Sequence, residues 1–152
     1  MKTVKKMAAI VLVGAMALSI AACKKSAKKV SADDFKKACE EVGLTVADLG
    51  ASDGAKEQYE AANADQTIEA TYVIAESKDD AKKGFDMIAD STDSLKEMGA
   101  DVTKSSGKIE VSMGDAMYMV AVQADDMFLS ITATGSADDV NTAKDLVKKL
   151  GV

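Results

Sequence analysis

The stretch MYMVAVQADDMFLSITAT, residues 117–134, decides the fold. Residues 117–123 are apolar at nearly every position, which is typical of a central strand. Residues 127–134 alternate, so that Leu129, Ile131 and Ala133 are predicted to point inward and the hydroxyl side chains outward. Asp125-Asp126 is short enough for a hairpin turn. The stretch therefore predicts two long antiparallel strands.

The segment before this hairpin extends the same pattern. Residues 108–113 place Ile109, Val111 and Met113 on one face, and Gly114-Asp115 gives a second short connection. These three strands are interpreted as an antiparallel meander. Residues 100–104 are a candidate for one more short strand, turning at residues 105–107.

A second alternating segment lies upstream, at residues 67–75, with Ile68, Ala70, Tyr72 and Ile74 on one face. Residues 55–66 are ambiguous, because their Ala, Glu and Lys favour a helix while residues 63–65 (Asn-Ala-Asp) are a turn signal. We favour a strand that pairs with residues 67–75.

Three helices are predicted, each starting after a serine that is followed by acidic residues. The three motifs are SADD at 31–34, SKDD at 77–80 and SADD at 136–139. The serine hydroxyl can accept from an unpaired backbone N–H, and the carboxylates favour the positive end of the helix dipole. Apolar residues with helical spacing follow each motif, and the helices end at Gly43, Gly99 and Gly151.

The predicted order is helix, hairpin, helix, three-stranded meander, helix. It indicates an α+β fold, a two-layer sandwich whose mostly antiparallel sheet has four to six strands, with helices packed mainly on one face. Residues 31–152 are long enough for one domain and too short for two.

The N-terminal residues have the pattern of an export signal. Lysines at positions 2, 5 and 6 precede an apolar run at residues 7–20, which is shorter than the roughly 20 residues of a membrane-spanning helix. Ile20-Ala21-Ala22-Cys23 then resembles the lipobox of bacterial prolipoproteins. The resemblance implies that the Cys23 sulfur carries a diacylglycerol, that cleavage occurs between Ala22 and Cys23, and that the protein is anchored on the extracytoplasmic face of the cell membrane.

The expected organisation is therefore a removed signal peptide at 1–22, a lipidated cysteine and basic tether at 23–30, and the domain at 31–152. The remainder resembles small uncharacterised lipoproteins of Gram-positive anaerobes. That resemblance is carried by SADDF at 31–35, Tyr118-Met119-Val120 and the terminal helix closing on Leu150-Gly151. It implies no activity.

The charge distribution separates the tether from the domain. All 25 acidic residues but only 12 of the 19 basic ones fall in residues 31–152, a net charge of −13, and every basic residue is a lysine. This excess of negative charge disfavours nucleic acid as a partner. Four tether lysines either contact anionic lipid headgroups or act as a solvated spacer: Lys24, Lys25, Lys28 and Lys29.

The residue types present restrict the chemistry. The sequence has no histidine, which excludes Ser-His-Asp and Cys-His mechanisms and histidine metal sites. No catalytic residue and no cofactor is predicted. Cys39 lies on the apolar side of the first helix and precedes Glu40 and Glu41, so we expect a buried structural thiol.

Four methionines cluster around the meander: Met113, Met117, Met119 and Met127. Thioethers suit Cu(I), but methionine is also a flexible core residue, and we favour core packing. Three of the four acidic pairs are explained by helix capping, and none of the four has the spacing of a calcium loop.

The sequence thus predicts a lipid-anchored extracytoplasmic module that binds an unidentified protein or small molecule. The alternatives are a carboxylate-based hydrolase and a methionine-rich metal-binding accessory protein.

Overall fold

The structure, a computed structural model, describes residues 27–152. Its three helices are α1 (Ala32–Glu41), α2 (Lys78–Glu97) and α3 (Ala137–Leu150). Each starts where the sequence predicted, because Ser31, Ser77 and Ser136 accept a hydrogen bond from the backbone N–H three residues later, at 3.1–3.2 Å. The three serine caps are therefore confirmed.

Seven strands form one antiparallel sheet. They are β1 (Thr45–Asp48), β2 (Ala55–Ala62), β3 (Ile68–Ala75), β4 (Asp101–Ser105), β5 (Lys108–Ser112), β6 (Met117–Ala124) and β7 (Met127–Thr134). The α+β class is confirmed, as are the strand interpretation of the ambiguous segment and the short strand β4. The predicted number of four to six strands was wrong, since the sheet has seven; the exposed edge strand β1 is the additional one.

The sheet joins two meanders at its centre. Its strand order is β1-β2-β3-β7-β6-β5-β4, so the first meander meets the second where β3 pairs with β7. In this central pair Tyr72 lies opposite Leu129, and Ala70 lies opposite Ile131. Helix α2 connects β3 at the centre to β4 at the far edge.

Helices cover both faces of the sheet, which corrects the two-layer expectation. Helices α1 and α3 pack on the face that contains Tyr72, Val120 and Leu129. Helix α2 packs on the opposite face, over Ile109 and Ala121. The sheet is therefore the middle of three layers, and strand β6 needs apolar side chains on both sides.

Because all neighbouring strands are antiparallel, their connections gather at two ends of the sheet. The Asp125 end comprises the loop at 49–54, the turns at 106–107 and 125–126, and the start of α2. The Asp115 end comprises the connections at 63–67 and 113–116 and the start of α3. The two ends differ in charge and in their relation to the N-terminal residues.

Candidate functional site

Residues 27–30, named here the docked segment, lie against the Asp125 end of the sheet. The sequence predicted a tether through residue 30, yet Val30 is only 3% exposed. Its N–H donates to the Met127 Sδ at 3.2 Å, and its carbonyl accepts from the Tyr72 hydroxyl at 2.9 Å. Both backbone polar groups of Val30 are therefore paired, so the last part of the predicted tether belongs to the folded domain.

The start of the docked segment contacts the β4–β5 turn. The Ala27 N–H donates to the Ser106 carbonyl at 3.2 Å. The next residue of the turn, Gly107, has φ +78°, and a Cβ there would lie 2.5 Å from the Gln123 carbonyl oxygen and 3.2 Å from the Ala27 Cβ. A glycine is needed at this position for both its conformation and its close contacts.

An ion-pair cluster holds the middle of the docked segment against the β6–β7 turn. The Lys29 ammonium pairs with the Asp126 carboxylate, and the Lys56 Nζ lies 3.7 Å from the second carboxylate oxygen. The hydrogen bond from Lys29 holds the pKa of Asp126 below its usual value. Lys29 is thus held in an ion pair within the domain, and the charge of Asp126 is largely neutralised by the two lysines.

Two open clefts flank the docked segment. One, of about 310 Å³, lies between α1, the end of α3 and residues 28–30, and is lined by Lys28, Lys37, Asp34, Glu41 and Lys149. The Lys149 Nζ donates to Glu41 at 2.8 Å, which lowers the pKa of that carboxyl. The Glu41 carboxylate therefore stays charged at neutral pH and paired with Lys149 at one side of the cleft.

The second cleft, of about 510 Å³, lies between α1 and strands β2 and β3. The Lys36 Nζ sits 4.1 Å from the centre of the Tyr59 ring, and Lys29 and Glu57 line the same cleft. Tyr72 forms its floor and stacks on Phe35 with ring centres 5.2 Å apart. These groups suit the binding of a polar or charged ligand through ion pairs and ring contacts.

Cys39 is fully buried on the inner side of α1, as the helical pattern predicted. Burial, with a smaller contribution from the Glu40 carboxylate, raises the pKa of its thiol to about 12. A protonated, inaccessible thiol has the character of a core residue and not of a nucleophile.

The four methionines of the sequence-based set lie on two faces of the sheet. Met113, Met117 and Met119 are partly buried beneath α2, while Met127 is fully buried under α1 and α3. The structure therefore does not bring the four thioethers together. Within residues 27–152, His, Cys, Asp and Glu side chains form no group of three placed to hold a metal ion.

Two predicted site residues, Ala22 and Cys23, lie outside the described residues. The contacts of Val30 with Tyr72 and Met127 were missed by sequence reasoning, because they join residues 42 and 97 positions apart. Nothing local in the sequence marks them. Within residues 27–152, no helix is both long and apolar enough to cross a bilayer.

Comparison with known proteins gives little similarity. No protein-family model matches the chain, and no curated protein matches it. Among solved structures, the extracellular domain of PknH from Mycobacterium tuberculosis is similar over 85% of this chain and 80% of its own length. The two share 12% sequence identity, with a TM-score of 0.33.

Proposed function

We propose that this chain is an extracytoplasmic lipoprotein, anchored to the cell membrane through acylated Cys23, whose domain is a binding module. The observation that carries the proposal is Ile20-Ala21-Ala22-Cys23, placed directly after a lysine-containing start and a short apolar run. Each buried methylene contributes about 0.8 kcal/mol, so the two chains of a diacylglycerol anchor firmly where one would bind reversibly.

Binding, and not hydrolysis, is the function that the clefts support best. A carboxylate-based hydrolase needs a general acid whose pKa is raised, so that it holds a proton near neutral pH. Glu41 and Asp126 have lowered pKa values because lysines donate to them. Charged, paired carboxylates beside ammonium groups suit recognition of a polar ligand or a protein surface.

The methionine-based alternative retains three residues. Met113, Met117 and Met119 share the face beneath α2, whereas Met127 is on the other face. A Cu(I) accessory function would have to use these three thioethers alone.

The anchor is tested with Cys23→Ala, with Cys39→Ala as the matched control for loss of a cysteine. The expected result is that cells fed labelled fatty acid acylate the wild type and Cys39→Ala but not Cys23→Ala. The Cys23→Ala protein should also leave the membrane fraction or accumulate as precursor. Incorporation of label by Cys23→Ala at the wild-type level would overturn the proposed anchor.

The binding module is tested by crosslinking in intact cells. Lys37 lines the first cleft and Lys96 lies near the Asp115 end, and neither makes an ion pair among residues 27–152. Lys37→Glu should lose the crosslinked species formed by wild type, and Lys96→Glu should keep it. An unchanged crosslinking pattern in Lys37→Glu would argue against this cleft as the binding site.

A further inference from the structure

The docked segment determines where the chain leaves the domain. Ala27 is held at the β4–β5 turn by its bond to Ser106, and Val30 is held three residues later by Tyr72 and Met127. The ion pair of Lys29 with Asp126 adds a third contact, at the β6–β7 turn. The N-terminal residues therefore depart from the Asp125 end of the sheet.

The chain between this exit and the proposed lipid is short. Four peptide steps separate Ala27 from Cys23. A fully extended chain advances at most about 3.6 Å per residue, so Cys23 lies within roughly 14 Å of Ala27. By comparison, the eight residues of β7, which runs between the two ends, are seven steps long and span roughly 23 Å. The link is too short for the domain to turn over while Cys23 stays in the bilayer.

The charges at the two ends favour the same orientation. The connections at 63–67 and 113–116 contain Asp65 and Asp115 and no lysine, and the first turn of α3 adds Asp138 and Asp139. The Asp125 end has mixed charge, because its loop, its turns, the start of α2 and the docked segment carry both acidic residues and lysines: Asp53, Glu76, Asp79, Asp80, Asp125 and Asp126, with Lys28, Lys29 and Lys78. Lysines that can contact anionic headgroups are thus present at the Asp125 end, whereas the connections at 63–67 and 113–116 and the first turn of α3 offer none.

We infer that the Asp125 end of the domain rests against the headgroups of an anionic phospholipid bilayer, and that the acidic Asp115 end points away from it. The inference depends on the proposed acylation of Cys23. The bilayer itself covers this surface, because the short link holds the Asp125 end next to it. The two clefts beside the docked segment then lie close to the membrane, and the Asp115 end is the part most accessible from outside.

Fluorescence quenching on vesicles tests this orientation. The full chain, purified from bacterial membranes, is placed in vesicles of phosphatidylglycerol and phosphatidylcholine that carry a nitroxide quencher on the headgroup. Ser106→Cys and Asp115→Cys are matched variants, because both residues are exposed in turns adjoining opposite ends of β5. Each variant offers one reactive thiol for a fluorophore, since Cys39 is buried and Cys23 is acylated.

The label at Ser106→Cys should lose most of its fluorescence, and the label at Asp115→Cys should keep most of it. Equal quenching, or stronger quenching at Asp115→Cys, would overturn the orientation. Mass spectrometry of the same preparations measures the acyl chains. Acylated protein with equal quenching overturns the orientation alone, whereas unmodified Cys23 overturns the anchor and the orientation together.

A spacer variant tests the role of the short link. A Gly/Ser insertion of about twelve residues before Ala27 has a root-mean-square span of roughly 20 Å and should allow the domain to rotate. The quenching difference between the two labels should then largely disappear, while the circular dichroism spectrum stays that of the wild type. A difference of unchanged size in the spacer variant would overturn the short link as the cause.

Discussion

At the scale of single residues, burial governs the behaviour of Cys39. The side chain is fully buried on α1, beside Phe35 and Ala38, which are also in the core. Its thiol pKa is raised to about 12, so at neutral pH the thiolate, the form that reacts, is almost absent. Reaction with a thiol reagent therefore requires both opening of the domain and loss of a proton.

We predict that Cys39 in the folded protein resists thiol reagents at neutral pH and reacts fully after denaturation. Raising the pH to about 9, the ordinary pKa of a cysteine, should leave it largely unreactive while the fold persists. The measurement is the time course of labelling with and without denaturant, followed by mass spectrometry. Rapid labelling of the native protein would contradict the buried position.

The methionines give a second test at this scale. Met127→Leu and Met119→Leu make the same change of volume, which usually costs less than about 1.5 kcal/mol. Met127 also accepts the N–H of Val30, so its replacement leaves a buried donor unpaired. Because sulfur is a weak acceptor, we expect Met127→Leu to lower the free energy of unfolding by about 1 kcal/mol more than Met119→Leu.

Urea denaturation of both variants measures this difference. Equal losses would mean that the contact between Val30 and Met127 contributes nothing. Anaerobic titration with Cu(I) on the same proteins examines the metal alternative. Submicromolar binding that is abolished by Met119→Leu would favour a copper site over core packing.

The sequence could predict the burial of Cys39 but not the contacts of Met127. The former depends on helical spacing, which a single local segment reveals. The latter depends on the docking of Val30 against β7, 97 positions away. Methionine is common in cores for its flexibility, so its presence alone does not identify a hydrogen-bond acceptor.

At the scale of elements, the β4–β5 turn brings three segments into contact. Gly107 accepts the Gln123 N–H at 2.8 Å through its own carbonyl, and lies next to Ala27 of the docked segment. The strands β5 and β6 and the docked segment thus meet at a residue without a side chain. A side-chain atom added to Gly107 would therefore have to displace the backbone of Gln123.

We expect Gly107→Ala to lower the free energy of unfolding by about 2–5 kcal/mol. Part of this is the cost of a left-handed conformation, about 1–2 kcal/mol, and the remainder is overpacking against the Gln123 carbonyl. Gly43→Ala is the control, because Gly43 has φ +83° but no atom within 4 Å of an added Cβ. Thermal and urea unfolding should show a clearly smaller loss for the control; similar losses would contradict the close contact.

The helices and the long strands could be predicted because their signals are local. Serine caps, apolar spacing and short turns lie within a few residues of one another, at Ser77 and Asp80 for example. Strand β1 could not be recognised, because its four residues lie at an edge and are mostly exposed, so they show no alternation. The docked segment has the composition of a linker and gains its structure only from partners elsewhere in the chain.

At the scale of the whole molecule, the two-sided character of β6 explains the three layers. Tyr118, Val120 and Val122 face α3, while Met119 and Ala121 face α2. The apolar pattern of this strand correctly predicts a central position, and it also indicates that both faces are covered. The strand order was beyond prediction, since the pairing of β3 with β7 depends on packing across the sheet.

We predict a gradient of hydrogen exchange from the centre of the sheet to its edges. Amides of β3, β7 and β6, which have a neighbour on each side, should exchange slowest, and those of β1 and β4 fastest. Peptide-resolved exchange monitored by mass spectrometry provides the measurement. Protection of β1 equal to that of β7 would require a partner covering this edge.

The docked segment also has a mechanical consequence. A pull on the chain from its N-terminal side, the direction in which the proposed anchor at Cys23 would act, loads first the bonds of Ala27, Lys29 and Val30, before it reaches the pairing of β3 with β7. Peeling these four residues from the sheet lengthens the link by up to about 14 Å, roughly doubling it. The docked segment is thus a store of extra chain length that is released under load while the sheet stays intact.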